Sequence, residues 1–462
     1  MASLNFKGKS AVWNHHLSVP YHTLDKDKAS SLAGDDEQEN LIIEGDNLLA
    51  LKALLPKYQG KIKCIYIDPP YNTGNEGWVY NDNVNNPIIK DWIGETVGKE
   101  GEDLTRHDKW LCMITPRLKL LQELLSDEGI VFISIDDNEV HHLKTLMNEA
   151  FGPENFITMI TWQRKKESSN DSKNISVKAE YILVYGKDPL SQLHLLTLSD
   201  QYIETSYNDP TKEFPDGKWR PVPIATTKGH KSGGYRYAIT TPSGKIHDRE
   251  WAYPEYSYKK LLEKNRVYFG KDETGIPQRV IYAHESEGIP ASNLWNNIWD
   301  DVATNKEGKK EIINFFGDNF FDTPKPVSLI KQILKLASEK DSIILDSFAG
   351  SGTTAQAVLE MNQEDGVAGK RKFILVQIPE EIKEKNSSGS KNPAYEAGYK
   401  WVHEITRDRV KKVIKRDKLD IGFTYYKLGP SIDGRNILEG KDLPTWDIFA
   451  KYVHYLATGK PI

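Results

Sequence analysis

The chain has 462 residues, of which 38% are hydrophobic and 27% charged, so at roughly 100–200 residues per domain it has room for several domains with sizeable cores. Its 61 Lys and Arg residues against 66 Asp and Glu residues give a net charge of −5, which excludes a uniformly basic nucleic-acid-binding surface but not a local basic groove. No stretch approaches the roughly 20 apolar residues of a membrane helix, and the N-terminus has no signal-peptide pattern. We therefore expect a cytoplasmic protein without a membrane partner.

Strand and helix patterns alternate along most of the chain. Strands are predicted at 41–43, 61–67, 130–135, 181–185, 342–346 and 373–376, and helices at 47–55, 117–125, 140–150, 328–337 and 353–360. This alternation predicts an α/β fold with a mainly parallel, doubly wound sheet.

The pattern changes between residues 187 and 310, where aromatics, prolines and glycines replace long helical periodicity. An alternating run at 235–239 leads into the turn signal Pro242-Ser243-Gly244. We interpret 187–310 as an inserted β-rich domain between the two parts of one α/β domain, 1–186 and 311–382. The remaining 383–462 is predicted to be a helical or mixed extension, with an amphipathic helix at 397–416 whose basic residues form a solvated face.

Cysteine and histidine usage argues against metal and disulfide chemistry. The two cysteines, Cys64 and Cys112, form no C-x-x-C motif and are expected to be buried thiols. The pairs His15-His16 and His141-His142 are neighbours in sequence, and neighbours on a helix point about 100° apart. We therefore predict no metal site.

A glycine-rich loop follows the predicted strand at 342–346. Its sequence is Ser347-Phe348-Ala349-Gly350-Ser351-Gly352, and a helix is predicted to begin directly afterwards. Glycine removes the side chain where a ligand must contact backbone, and Ala355 fits the looser form of a dinucleotide-binding pattern. The loop indicates a nucleotide-type ligand, with an ordinary tight turn as the alternative. A complete ATP-binding P-loop is absent from the sequence.

The tetrad Asp68-Pro69-Pro70-Tyr71 ends the predicted strand at 61–67. Two prolines prevent the strand from continuing, which would hold a carboxylate, a backbone carbonyl and an aromatic ring around one small space. This arrangement suits an exocyclic amine such as adenine N6, because Asp68 and the Pro69 carbonyl could accept its two hydrogens while Tyr71 stacks on the base. In isolation such a tetrad would more often be a Pro-Pro turn capped by aspartate, and the downstream glycine loop is what favours the functional interpretation.

Together the two motifs resemble the DNA amino-methyltransferases that use S-adenosylmethionine. The tetrad precedes the loop, as in the permuted β-class, and the strings at 66–74, 132–138, 323–326 and 346–354 are similar to modification subunits of type III restriction-modification systems. The resemblance implies a Rossmann-like catalytic domain, a target-recognition domain at 187–310, and methylation of adenine N6 on a base flipped out of double-stranded DNA. It also implies a homodimer and a possible restriction or helicase partner subunit.

The resemblance assigns roles to individual residues. It implies that Lys325 lies near the methionine carboxylate and that Asp346 orients the methionine amino group. The residues implied to be catalytic are Asp68, Pro69, Pro70 and Tyr71; those implied to bind the cofactor are Asp46, Thr323, Lys325, Asp346, Phe348, Ala349, Gly350, Ser351, Gly352, Thr353 and Gln377; and those implied to bind the substrate base are Tyr71, Asn72 and Trp162.

The sequence alone allows other roles for several of these residues and for the chain as a whole. Asp46 could instead be the N-cap of a helix, and Trp162 could be a core residue. Gln377 stands where this family class usually has an acid for the cofactor ribose, and Glu380 is the other candidate. For the whole chain, the rival interpretations are a cytosine-N4 methyltransferase, which more often has serine before Pro-Pro-Tyr, a catalytically silent DNA-recognition module, and an NAD enzyme.

Overall fold

The computed structural model describes residues 3–33, 40–73, 105–168, 174–226, 234–296, 301–385, 389–432 and 444–461. The chain divides into two compact units, Met1–His194 with Ser292–Ile462, and Leu195–Ala291. Among the described helices, none combines the length and apolarity needed to cross a bilayer.

Strands and helices alternate in the first unit, and the second unit is rich in strands. The strands are β1 Tyr21–Lys26, β2 Leu41–Glu44, β3 Ile62–Ile67, β4 Leu125–Ile135, β5 Phe156–Gln163, β6 Ala179–Gly186, β7 Trp219–Pro223, β8 Tyr235–Thr240, β9 Ile246–Trp251, β10 Val267–Tyr268, β11 Gln278–Tyr282, β12 Leu294–Trp295, β13 Ile343–Asp346, β14 Lys372–Gln377 and β15 Thr424–Ile432. The helices are α1 Lys9–Val12, α2 His15–Ser18, α3 Asn47–Tyr58, α4 Arg106–Leu124, α5 Val140–Phe151, α6 Asp200–Ser206, α7 Glu255–Glu263, α8 Asn305–Phe316, α9 Val327–Ala337, α10 Thr353–Glu364, α11 Pro393–Glu396, α12 Val402–Arg416 and α13 Trp446–Thr458.

The first unit is built on one mixed sheet with the strand order β1-β15-β2-β14-β13-β3-β4-β6-β5-β12. From β15 to β4 all neighbouring strands are parallel, and the antiparallel pairs lie towards the two edges. The central strands are buried on both faces, as their continuous Ile, Leu and Val runs require. The predicted α/β fold with a mainly parallel sheet is confirmed.

The order of the central strands brings the two sequence motifs together. β3, which leads to the tetrad, is hydrogen-bonded in parallel to β13, which leads to the glycine loop, with Leu345 opposite Ile65. Because parallel neighbours end at the same edge of a sheet, the segments that follow them share one crevice. The sequence-distant motifs therefore belong to one site.

Local sequence signals set the helices around this edge. Asp46 caps α3, since its Oδ1 accepts a hydrogen bond from Leu48 N at 2.6 Å. Thr105 and Asp108 form a capping box that begins α4. This helix begins eleven residues before its predicted start at Arg117 and runs through Pro116, so the proline did not end it.

The second unit has its own small cores. A three-stranded antiparallel sheet, β10-β11-β7, packs around Phe214, Trp219 and Val280. The β8–β9 hairpin, joined by the predicted turn, buries Ile239 and Trp251 in a second cluster. The part of this unit that the structure describes is a β-rich module.

This unit is shorter at both ends than the predicted 187–310 insert. His194 N donates to the Leu336 carbonyl at 2.8 Å, which holds the segment before the unit against α9. After the unit, β12 adds to the main sheet beside β5, with Trp295 opposite Trp162. The extension predicted at 383–462 also contributes to the main sheet, because β15 lies between β1 and β2.

Candidate active site

The tetrad carboxylate lies at the centre of a polar cluster. Lys325 Nζ is 2.9 Å and 2.8 Å from the two carboxylate oxygens of Asp68 and 2.9 Å from the Tyr71 hydroxyl. Tyr71 donates to Asp68 Oδ1 at 2.7 Å. Glu180, at the start of β6, completes the cluster with its Oε2 3.4 Å from Lys325 Nζ. One ammonium group thus lies between two carboxylates.

Burial and charge act in opposite directions on these groups. Burial raises the pKa of Asp68 above its usual range, although the Lys325 charge lowers it. Burial alone would lower the pKa of Lys325, but the charges of Asp68 and Glu180 outweigh it and the pKa is raised. Burial thus favours the neutral form of Asp68, whereas the two neighbouring carboxylates favour the charged form of Lys325.

Two hydrogen bonds stabilise the backbone of the Pro-Pro turn. Trp110 Nε1 donates to the Pro70 carbonyl at 2.6 Å. Asn72 has a positive φ of 59° and is almost completely buried, with its amide nitrogen 2.5 Å from Glu139 Oε1. These contacts fix the backbone on either side of Tyr71.

The glycine loop turns sharply from β13 into α10. Gly350 and Gly352 have φ of 51° and 83°, in the region that favours glycine, and a Cβ on Gly352 would lie 3.1 Å from the Thr406 carbonyl oxygen. Asp346 closes the turn by accepting hydrogen bonds from Phe348 N at 3.0 Å and Thr354 Oγ1 at 2.5 Å. Burial raises the pKa of Asp346 to about 7.

The tetrad and the loop line a common cavity. Most of the residues predicted to bind the cofactor are in its wall, and Phe321 joins them. The lining residues are Tyr66, Asp68, Phe321, Thr323, Pro324, Lys325, Asp346, Phe348, Ala349, Gly350, Ser351, Thr353 and Thr354. A bound group in this cavity would contact the loop and the Asp68 carboxylate together.

Comparison with known proteins identifies the family. A family model described as DNA methylase matches residues 62–388. The chain belongs to the DNA methylase family. It is 47% identical over 431 residues to the StyLTI Mod subunit of a type III restriction-modification enzyme from Salmonella typhimurium, covering 90% of this chain and 64% of that protein. It is 31% identical to the EcoPI Mod subunit of Escherichia phage P1, covering 90% and 68%, and 31% identical to the type II methyltransferase M.KpnI of Klebsiella pneumoniae, covering 84% and 90%.

These matches confirm the resemblance to type III modification subunits inferred from the motifs. The chain spans a little under two thirds of the length of the Salmonella relative. The matched region of the DNA methylase model contains both the tetrad and the glycine loop. In sequence, the whole of the second compact unit falls between these two motifs.

A buried arginine supports the glycine loop. The sequence had predicted that this residue is part of a solvated face. Arg409 on α12 is fully buried and donates to Ser351 Oγ and Thr353 Oγ1, each at 2.8 Å, and to Glu311 at 3.3 Å. That interpretation was wrong for Arg409. The helix presents this residue to α10 and the loop, while Lys415 and Arg416 on the same helix are exposed.

Two predicted cofactor residues have structural partners. Asp46 caps α3 and also accepts from the buried Arg117 at 3.2 Å, so the N-cap interpretation applies whatever else Asp46 contacts. Gln377, at the end of β14, accepts a hydrogen bond from Gly350 N at 2.7 Å and so braces the loop. Contacts of Asp46, Gln377 or Glu380 with a cofactor stay predictions.

Trp162 and Asn72, both predicted to bind the base, are buried. The Trp162 indole donates to the Ala303 carbonyl at 3.0 Å, and its ring centroid is 6.0 Å from Lys325 Nζ. It is therefore a core residue next to the polar cluster. The predicted contact of Trp162 with the substrate base stays a prediction.

Glu180 was missed by the sequence analysis. It lies between Lys325 and Arg164, whose Nη1 is 3.2 Å from Glu180 Oε1. The sequence feature that could have identified Glu180 is a glutamate near the start of an otherwise apolar strand. An acidic side chain in a buried strand needs a cationic partner.

Proposed function

We propose that the chain transfers a methyl group from S-adenosylmethionine to N6 of adenine in double-stranded DNA, as the modification subunit of a type III restriction-modification system. The observation that carries this proposal is the shared cavity, in which Asp68 at the end of β3 faces the glycine loop at the end of β13. The family membership and the Mod relatives support the same chemistry and the same kind of system.

The residues that line the cavity are chemically suited to a nucleoside cofactor with a cationic amino group. Gly350 and Gly352 leave backbone open to close approach, and the Asp346 carboxylate is suited to an ammonium group. We assign cofactor binding to these residues with Thr323, Phe348, Ala349, Ser351 and Thr353, and secondarily to Asp46 and Gln377. When bound, S-adenosylmethionine supplies an electrophilic methyl group on a sulfonium.

Asp68 acts on the nucleophile. The lone pair of adenine N6 is delocalised into the ring, and acceptors for both N6 hydrogens, Asp68 and the Pro69 carbonyl, localise it towards the methyl donor. Methyl transfer leaves a positive charge on N6, and Asp68, whose pKa is raised by burial, accepts the departing proton. Tyr71, held by its hydrogen bond to Asp68, presents its ring to the base. No covalent intermediate between enzyme and DNA is needed.

Lys325 is a positioning residue in this scheme. Its ammonium occupies the acceptor oxygens of Asp68 that N6 requires, and Glu180 provides a second anion 3.4 Å away. We propose that Lys325 shifts towards Glu180 when the base enters, which frees Asp68 without leaving the lysine unpaired.

Replacing Lys325 with methionine is expected to move the pH dependence of methyl transfer. Loss of an adjacent positive charge raises the pKa of Asp68 further. Activity requires ionised Asp68, so the acidic limb of the kcat/KM profile moves to higher pH. The control is Lys335→Met, an exposed lysine on α9. An unshifted acidic limb in Lys325→Met would show that this ammonium does not act on Asp68.

Identification of the methylated base tests the proposed function. The chain is incubated with DNA and isotopically labelled S-adenosylmethionine, and the DNA is digested to nucleosides for mass spectrometry. We expect label only in N6-methyldeoxyadenosine. Label in N4-methyldeoxycytidine would establish the cytosine alternative, and specific DNA binding without any label would establish a silent recognition module.

We infer that the second compact unit recognises the DNA target. In its described part, Tyr235, Arg236, Lys259 and Lys260 are exposed and suited to phosphate or base contacts. Trp219 and Trp251 in the same unit are core residues and are not available for stacking. The basic segment Lys228-Gly229-His230-Lys231, whose charge would also suit phosphate contacts, lies outside the described residues. A homodimer, a restriction or helicase partner subunit, and a cytoplasmic location remain predictions from the family and the sequence.

A further inference from the structure

Two histidines and a glutamate converge behind the tetrad. His107 lies in the first turn of α4, Glu139 immediately precedes α5, and His142 lies in the first turn of α5. His107 Nδ1 is 2.6 Å from Glu139 Oε1, and His142 Nδ1 is 2.9 Å from Glu139 Oε2. One ligand atom from each of the three residues lies within 4.8 Å of the other two.

The charge of Glu139 needs a compensating cation. Glu139 is fully buried, and its hydrogen-bonding partners are His107, His142 and the amide nitrogen of Asn72. Within the described ranges, no Lys or Arg side chain lies within ion-pair distance of this carboxylate. A buried carboxylate favours a positive charge next to it, which either a protonated imidazole or a metal ion held by the imidazoles and the carboxylate would supply.

Asn72 provides a second, independent observation. Its side chain is 1% exposed, its amide nitrogen contacts Glu139, and its Oδ1 is buried without a hydrogen-bonding partner. Rotation of the amide by 180° would direct Oδ1 to the Glu139 cluster, where contact with a bound cation would replace the hydrogen bonds that Nδ2 now donates to Glu139 and to the Arg106 carbonyl. A buried carbonyl oxygen with no donor beside three potential ligands is a feature that metal binding explains.

We propose that His107, Glu139 and His142 bind a divalent transition metal ion, with Zn²⁺ the ion that suits them best, and that the ion fastens Asn72 and hence the tetrad to α4 and α5. Two imidazoles and one carboxylate are a common donor set for zinc, with ligand distances of about 2.0–2.2 Å. Such distances require the three donor atoms to lie about 3.3 Å apart in a tetrahedron, so the two histidine nitrogens, now 2.6 Å and 2.9 Å from the glutamate oxygens, would move apart from them by a few tenths of an ångström. Water or the Asn72 carbonyl takes the fourth position.

The site is structural, because the residues that contact the proposed ion are distinct from those that line the Asp68 cavity. Solvent reaches the site at His107 and His142, whose side chains are 39% and 25% exposed. The expectation of no metal rested on the neighbouring pair His141-His142. The structure instead combines His142 with a glutamate three residues earlier, on the same face of α5, and with a histidine from another helix.

Metal titration of the full chain tests the proposal. Untagged protein is treated with a chelator, then titrated with Zn²⁺, and with Co²⁺ as a spectroscopic probe. We expect one ion per chain and a tetrahedral Co²⁺ absorption spectrum. His107→Ala and His142→Ala should each weaken Zn²⁺ binding at least 100-fold, a larger effect than the 10–100-fold typical of residues that only support a ligand. His141→Ala, next to the site but outside it, is the matched control and should bind like wild type.

Thermal melting keeps the test decisive if a variant folds poorly. Ligand that binds only the folded state raises the melting temperature, so wild-type protein should melt higher with excess Zn²⁺ than with chelator. Absence of stoichiometric binding by wild type, or His142→Ala binding Zn²⁺ as tightly as His141→Ala, would overturn the proposal. Because both measurements use no DNA and no methyl donor, their failure is distinguishable from failure of the proposed function.

Discussion

Asp68→Ala is expected to reduce the rate of methyl transfer at least 10³-fold while leaving cofactor affinity within a few-fold of wild type. Removal of the carboxylate eliminates one of the two acceptors for the N6 hydrogens. It also removes one of the two carboxylates that neutralise Lys325, so a positive charge faces the incoming amine. Losing one group that acts mainly in the transition state commonly reduces kcat by about 10²–10³, and here proton acceptance is lost as well. Single-turnover transfer of labelled methyl groups, with saturating cofactor, measures the effect.

The control for this variant is Asp137→Ala. Asp137 is an exposed acid at the end of the neighbouring strand β4, and its loss should leave transfer unchanged. Cofactor affinity is measured by equilibrium titration for both variants. Transfer by Asp68→Ala at near wild-type rate would remove Asp68 from the chemistry, whereas loss of cofactor binding would show that the carboxylate supports the pocket instead.

Arg409→Ala is expected to lower the free energy of unfolding by about 3–5 kcal/mol and to weaken cofactor binding. Breaking a buried charged network leaves its partners uncompensated, here Glu311 and the hydroxyls of Ser351 and Thr353. Burial already raises the pKa of Glu311 to about 7 even with the arginine opposing it. Urea unfolding followed by circular dichroism measures stability, and cofactor titration measures the state of the loop.

Lys415→Ala on the same helix provides the comparison, because Lys415 is exposed and should change stability by less than about 0.5 kcal/mol. Equal urea midpoints for the two variants would show that the arginine is as dispensable as a surface charge. An Arg409→Ala protein that loses stability but binds cofactor normally would confine its role to packing.

The α/β fold could be predicted from the sequence because its elements carry strong local signals. Buried strands such as 373–376 are short runs of large apolar residues, and the amphipathic spacing at 328–337 specifies a helix with one buried face. The observed β14 is one residue longer at each end than predicted, and α9 begins one residue earlier. Periodicity does not give strand order, however. The adjacency of β3 and β13 was available only from the family resemblance.

The side chains that support the site were not predictable, because their roles depend on tertiary contacts. Arg409 and Lys415 occur in one run of basic residues, and only packing against α10 buries the first and exposes the second. The contact of Lys325 with the cofactor carboxylate stays a prediction, and the partner of its ammonium in the structure, Asp68, is 257 positions away in sequence. Burial of a charge is decided by the partner that neutralises it, and sequence spacing does not identify that partner.

The structure of the chain bound to S-adenosylhomocysteine and a DNA duplex carrying its target is the most direct test of the proposed methyl transfer. We expect the cofactor sulfur to lie beside Gly350, an adenine to have left the stack, and its N6 to be within hydrogen-bonding distance of Asp68, with Lys325 moved towards Glu180. A cofactor bound away from the glycine loop, or a target base that does not approach Asp68, would contradict it.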